Sequence, residues 1–229
     1  MRAVAERREG RGAREPRTSR RADGTRGREL PPTRDVILDA AERRFAERGF
    51  AAVSVRELAA EAGLKNQASL YHHFRNKRAL YEAVLTRGLE PILALVAESV
   101  AAGGLAGWEG FVDRLVVYLS EHPHLPRLIQ RAVLADRRYL PSAVPRLIRP
   151  LYQEGVKALG GGATWPAADV PHLAAALYLL IFGYFANAAL FEAVTQQDLR
   201  SPAAVARQRR FLRTVLAQLF GAPAHSGQG

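Results

Sequence analysis

Residues 62–74 read AGLKNQASLYHHF. Lys65, Asn66, Gln67 and Ser69 place hydrogen-bonding side chains close together, Tyr71 and His72 follow, and Leu70 and Phe74 stand four apart as apolar anchors. These types suit nucleic acid. A lysine pairs with guanine edges, and the amides of asparagine and glutamine match the donor and acceptor of adenine. Ser69 serves either a base or a phosphate. Tyr71 and His72 lie far enough along to meet backbone oxygens, contacts that position a protein without specifying a sequence.

Such a stretch needs a platform. Upstream, Val36, Ile37, Ala40, Ala41 and Phe45 fall on one face of a helix that Gly49 ends. Ser54-Val55-Arg56-Glu57 has the Ser-x-x-Glu form of a capping box, in which hydroxyl and carboxylate satisfy orphan amides. Leu58, Ala59 and Ala62 then point inward until Gly63 stops the second helix. The quoted stretch forms a third helix over about 66–73, and Asn76 is the expected N-cap of a fourth through Leu80, Val84, Leu85, Leu89, Ile92 and Val96. Two short helices around a tight glycine turn, the second polar outside, describe a helix-turn-helix. Its second helix enters the major groove. Leu70 and Phe74 would hold that helix against Phe45 and Leu58.

The rest of the chain keeps helical period. A glycine-rich break is expected at 103–107 and a helix over 108–121. Pro123 and Pro126 open the next helix. A helical pattern over 141–159 should be kinked or divided at Pro150. Residues 159–169 read as a loop and 170–195 as the most apolar helix. The last helix has Ser201 as N-cap, Pro202 at its first position and Gly221 past its end. The expected class is all-α: a three-helix helix-turn-helix domain plus a larger helical body, about nine helices in all. The expected organisation is a basic arm over 1–32, the helix-turn-helix domain over 33–80, the helical body over 81–221 and a tail over 222–229.

The chain has 229 residues, 48% hydrophobic and 24% charged, ordinary for a globular protein. It has no cysteine, which excludes disulfides, thiolate zinc sites and cysteine nucleophiles. The net charge of +11 is unevenly placed: residues 1–34 carry 11 arginines against 5 acids. That arm has almost no large apolar residues and is expected to be disordered. It would either touch DNA, remain a solvated tail, or reflect a start codon placed upstream of the true one. The pairs His72-His73 and His122/His124 lack the helical i, i+4 spacing of metal ligands, so no metal and no cofactor is expected. No Ser/His/Asp, paired-carboxylate or phosphate-loop signature is found, so an enzyme is not expected. Leu173–Phe191 is a run of 19 uncharged residues, long enough to span a bilayer. It contains Asn187, Gly183 and several alanines, and no Lys/Arg cluster flanks it. It is therefore read as a helix buried all round, with no membrane span.

Residues 34–85 resemble the amino-terminal DNA-binding domain of the TetR family of bacterial transcriptional regulators. The matching runs are Ile37-Leu38-Asp39-Ala40-Ala41, Phe45-Ala46-Glu47-Arg48-Gly49-Phe50, Ser54-Val55-Arg56-Glu57-Leu58-Ala59, Ala62-Gly63, Leu70-Tyr71-His72-His73-Phe74 and Asn76-Lys77. Seven residues separate Gly63 from Tyr71, one more than is commonest in the family, which leaves open which of Lys65, Asn66, Gln67 and Ala68 faces bases. The resemblance implies a cytoplasmic homodimer on a palindromic operator of double-stranded DNA, paired through its last two helices. Ser54 and Arg56 would meet phosphate or the groove edge, and Tyr71, His72 and Lys77 the phosphate backbone. It also implies a small-molecule effector pocket in the helical body. The candidate wall residues are Trp108, Phe111, Tyr118, Leu128, Tyr152, Tyr178, Phe182 and Phe185, with Arg131, His172 or Asn187 to orient a ligand; the alternative for each is plain core. The implied function is a repressor released by an apolar or amphipathic ligand. The alternative is a lipophilic-ligand sensor or carrier with a vestigial DNA-binding domain.

Overall fold

The computed structural model describes residues 33–136, 143–160 and 165–221. The arm 1–32 and the tail 222–229 assigned above lie outside them. The described residues contain helices and no strand, the all-α class expected. In order they are α1 (Thr33–Ala52), α2 (Val55–Glu61), α3 (Gln67–Tyr71), α4 (Lys77–Ala102), α5 (Gly104–Glu121), α6 (Leu125–Leu134), α7 (Ala143–Gly160) and α8 (Val170–Tyr178). A π-helical turn over Leu179–Gly183 joins α8 to α9 (Tyr184–Ala186), and α10 (Ala188–Thr195) and α11 (Pro202–Gly221) follow.

The amino-terminal elements close around one apolar centre. Ile37, Leu38, Ala41 and Phe45 of α1, Leu58 of α2, Leu70, Phe74 and Leu80, Tyr81 and Val84 of α4 are all buried in one cluster. Each large side chain so buried contributes about 1.5–3 kcal/mol over leaving it in water. The Phe45 and Tyr81 rings meet edge to face at 4.7 Å, an arrangement favoured by ring quadrupoles. Outside this centre, Arg43 and Arg44 pair with Glu61, and Arg87 of α4 reaches Asp39 and Glu42 of α1. The 26-residue α4 runs without a break past residue 80 into the helical body, where α5 packs against both α4 and α11.

Four features differ from the sequence reading. Gly49 interrupts α1 with φ 78° and ψ 169°, a left-handed backbone that favours glycine, but helix resumes to Ala52. The break near 103 is a single residue, Gly103, and α5 begins at Gly104 rather than 108. Gly107 is there for a close crossing: a Cβ on it would sit 2.5 Å from the Ser99 carbonyl oxygen. α7 passes through Pro150 undivided; the carbonyl that loses its helical donor is that of Arg146, an exposed residue, where it can bond water. Finally, 170–195 is not one helix. It bends by 65° at Asn187, whose backbone leaves the helical region (φ −102°, ψ 12°) and whose Nδ2 donates to the Gly183 carbonyl at 2.8 Å. With the bend, no single helix among the described residues is long and apolar enough to cross a membrane.

Candidate nucleic-acid interface and ligand cavity

The helix-turn-helix is shaped by local bonds. The Ser54 Oγ accepts from the Glu57 amide at 3.1 Å while the Glu57 carboxylate accepts from the Ser54 amide at 2.7 Å, completing the capping box. Arg48 Nη1 also holds Glu57 at 2.6 Å. The Ser54 amide and the Arg48 guanidinium pull the Glu57 carboxyl down from 4.5 to about 2. At the other end of α2, Gly63 at φ 68° supplies the left-handed residue of a Schellman turn. Leu64 N–H donates to Ala59 O at 2.8 Å and Gly63 N–H to Ala60 O at 3.0 Å.

Leu64, Lys65 and Asn66 stand between Gly63 and the start of α3 at Gln67. Asn66 is the N-cap: its Oδ1 accepts from the Ser69 amide at 3.0 Å and from the Ser69 hydroxyl at 3.2 Å. Asn76 repeats the device on Ala79 at the start of α4. Ser54, Arg56, Lys65, Asn66, Gln67, Tyr71 and His72 are exposed, and Ser69 is half-buried. Leu70, between Ser69 and Tyr71, is fully buried.

Lys77, expected to contact the phosphate backbone, has its ammonium engaged inward. Its Nζ donates to Phe50 O at 2.7 Å and Val53 O at 2.8 Å, and it stands 4.3 Å from the Phe50 ring centroid. Burial pushes its pKa down, against the opposing attraction of Asp136 and Glu57. The ammonium thus clamps the corner between α1 and α2. Asp136, which the sequence did not single out, clasps the same corner from the end of α6. It is 4% exposed and accepts from the Phe50 amide at 3.0 Å and the Tyr81 hydroxyl at 2.9 Å. Arg131 of α6 donates to the Glu47 carbonyl at 2.9 Å.

The helical body holds a cavity of about 340 Å³ walled by α4, α5, α6, α7, α8 and the π-helical turn. Trp108, Phe111, Tyr152, Tyr178 and Phe182 line it as expected of them, joined by Leu89, Ile92, Val96, Leu115, Ile129 and Ile181. The other expected wall and anchor residues do not. Tyr118 turns away and donates to the Gly88 carbonyl at 3.0 Å. Leu128 and Phe185 are buried in the general core. Arg131 is committed to Glu47, His172 is exposed on α8, and Asn187 bonds back to its own helix. The lining aliphatics carry the same helical spacing as core residues, so nothing in the sequence distinguishes burial against atoms from burial against a void. Burial pushes the Tyr178 phenol up, so it stays neutral at ordinary pH.

An exposed polar helix held by a Schellman turn and two capped neighbours, on an all-α body, defines a helix-turn-helix protein. Residues 37–84 match the sequence model described as "Bacterial regulatory proteins, tetR family", so this amino-terminal segment is similar to the DNA-binding domain of that family. It is 39% identical over 82 residues to the HTH-type transcriptional repressor KstR2 of Rhodococcus jostii (strain RHA1), covering 36% of this chain and 39% of that protein. It is 36% identical over 110 residues to the HTH-type transcriptional regulator UidR of Escherichia coli (strain K12), covering 47% and 51%. The match therefore spans about half or less of these relatives' length. In three dimensions the ketosteroid transcriptional regulator KstR2 of Mycobacterium tuberculosis superposes with a TM-score of 0.64 at 21% identity, covering 83% of this chain and 96% of that one. The fatty acid degradation regulator FadR of Bacillus halodurans gives 0.62 at 16% identity, covering 78% and 97%. At these identities the likeness is one of fold. The family and these relatives are transcriptional regulators, not enzymes.

Proposed function

We propose that this chain is a cytoplasmic, dimeric transcriptional repressor that binds a palindromic DNA operator and is released by a small apolar or amphipathic ligand. The observation that carries the reading is that Gln67 and Tyr71 of α3, with Lys65 just before it and His72 just after it, are exposed while Leu70 locks the helix into the core. In this reading Gln67 and Lys65 read bases. Asn66 shapes the helix start and offers only its Nδ2 outward, because its Oδ1 is engaged. Ser54, Arg56, Ser69, Tyr71 and His72 position the phosphates, and Lys77 supports them from behind.

Dimerisation is supported by the exposed apolar residues of the last elements. Leu179, Leu190, Phe191, Val194 and Phe211 are each 46–72% exposed, a liability on a surface unless another surface covers them. Pairing there would set the two recognition helices about one DNA turn, ~34–36 Å, apart. The cavity would couple ligand to operator by the ~1–3 kcal/mol typical of linked sites.

Gel shifts of the full chain on DNA upstream of its own coding sequence, against random duplex at physiological salt, test the reading. A preference for the upstream DNA is expected; equal affinity for both would overturn it. Tyr71→Ala should weaken every sequence alike, whereas Gln67→Ala should relax preference at one base pair by about 1–3 kcal/mol. Uniform losses for Gln67→Ala would remove it from base reading.

A further inference from the structure

We infer that the cavity takes an uncharged, ring-bearing ligand of about fifteen non-hydrogen atoms at interior packing density, and that Gly155 is the residue that leaves room for it. This deepens the effector reading above and rests on it.

Charge decides the class. None of the described residues lining the cavity is a lysine, arginine, histidine, aspartate or glutamate. An ionised group placed inside would lose its hydration and find no counter-charge, a penalty that proteins normally avoid. Shape narrows it further. Two aromatic pairs meet the same void: Trp108 with Phe111 on α5, edge to face at 5.6 Å, and Tyr178 with Phe182, stacked at 5.0 Å. A flat ring system can lie against one pair and present its edge to the other, which gains more than a thin chain of equal volume. The opening is also identifiable. Val133, Tyr152 and Tyr178 line the cavity yet are 36%, 46% and 39% exposed, whereas Ile92, Leu115, Ile129 and Phe182 are buried. The tyrosine hydroxyls belong to these mouth residues, so a single hydroxyl or carbonyl on the ligand would be met at the entrance.

Gly155 stands on the α7 wall. A Cβ on Gly88 would lie 2.2 Å from Leu125 Cδ1, and one on Gly107 2.5 Å from a carbonyl oxygen, so packing requires those two glycines. A Cβ on Gly155 would meet no described atom within 4 Å, and its φ is not positive. Glycine is also the least favourable residue after proline inside a helix. Among the described atoms neither packing nor backbone asks for glycine at 155, and Gly155 itself lines the cavity.

The test uses the full chain and two probes on one skeleton. N-phenyl-1-naphthylamine is uncharged; 1-anilinonaphthalene-8-sulfonate carries a sulfonate. Both brighten in apolar surroundings. The uncharged probe should bind saturably and about tenfold or more tighter than its sulfonate analogue. Gly155→Leu should weaken it by about tenfold or more without lowering the melting temperature, and Gly155→Ala should fall between. Should the leucine variant fold poorly, a second variant locates the probe independently. Trp108→Phe should abolish probe emission sensitised through Trp108 while leaving directly excited emission intact. Equal affinity of the two probes, or full binding by both Gly155 variants, would overturn the proposal. Sensitised emission unchanged in Trp108→Phe would do the same. Operator gel shifts on the same samples read the other assignment separately. Operator binding without probe selectivity sinks the ligand class alone, and probe selectivity without operator binding sinks the repressor reading while the ligand class stands.

Discussion

Lys77 illustrates how a residue's chemistry depends on what its neighbours leave unsatisfied. The corner after Gly49 presents the carbonyls of Phe50 and Val53 together, and a cation at the start of α4 donates to both. Hydrogen bonds involving a charged group are worth about 1.5–3 kcal/mol each net of solvent, so the ammonium acts inward although it sits near the proposed DNA-facing side. Glu57 is the opposite case, a charge made more acidic by its partners yet exposed. Its folded pKa of about 2 lies below its ordinary 4.5. The stability it contributes is therefore complete above pH 4.5 and is lost as pH falls toward 2. Thermal melts between pH 5 and 2.5 should show a shallower pH dependence for Glu57→Gln than for the parent chain. Identical slopes would mean that the capping box does not titrate with folding.

At the scale of elements, local chemistry was legible and long-range geometry was not. The Ser54–Glu57 box, the Asn76 cap, the Ser201–Pro202 start of α11 and the Gly63 turn each depend on residues within five positions, and all could be placed from sequence. The bend at Asn187 could not: a polar residue within an apolar run is equally compatible with a straight buried helix. Pro150 does not divide its helix, one of its two expected effects, because the cost of a proline depends on whether the carbonyl it frees meets water, a tertiary fact. The same limit explains why five expected pocket residues line the cavity while Tyr118, Leu128, Phe185, Arg131 and His172 do not. Periodicity finds the inward face of a helix, but only the partner helix decides what that face meets. Gly107 was read as part of a glycine-rich break and is instead the contact point of two helices. Gly107→Ala should lower stability by about 1–3 kcal/mol through overpacking against the Ser99 carbonyl, measured by urea denaturation. A neutral result would mean that α5 can slide away from α4 at little cost.

Across the whole molecule, the division drawn at residue 80 falls within α4, which begins at the corner held by Lys77 and ends beside the cavity. The apolar surface near the carboxy terminus bears on assembly. Phe191→Glu would place a charge among Leu190, Val194 and their symmetry mates in the proposed dimer. Sedimentation should then show monomers at concentrations where the parent chain is dimeric, with helix content unchanged. A dimer that survives the substitution would move the interface elsewhere.

Phe50 sits at a corner rather than within a regular helical ladder, and amides in such places ordinarily trade their protons with water quickly. Its N–H points at a carboxylate 86 residues away that is itself sealed from solvent. In deuterated buffer this amide should keep its proton about as long as those in the interior of α4, and Asp136→Leu should make it exchange at loop-like rates. The slow clock of that single site would report how often α6 parts company with the base of the helix-turn-helix.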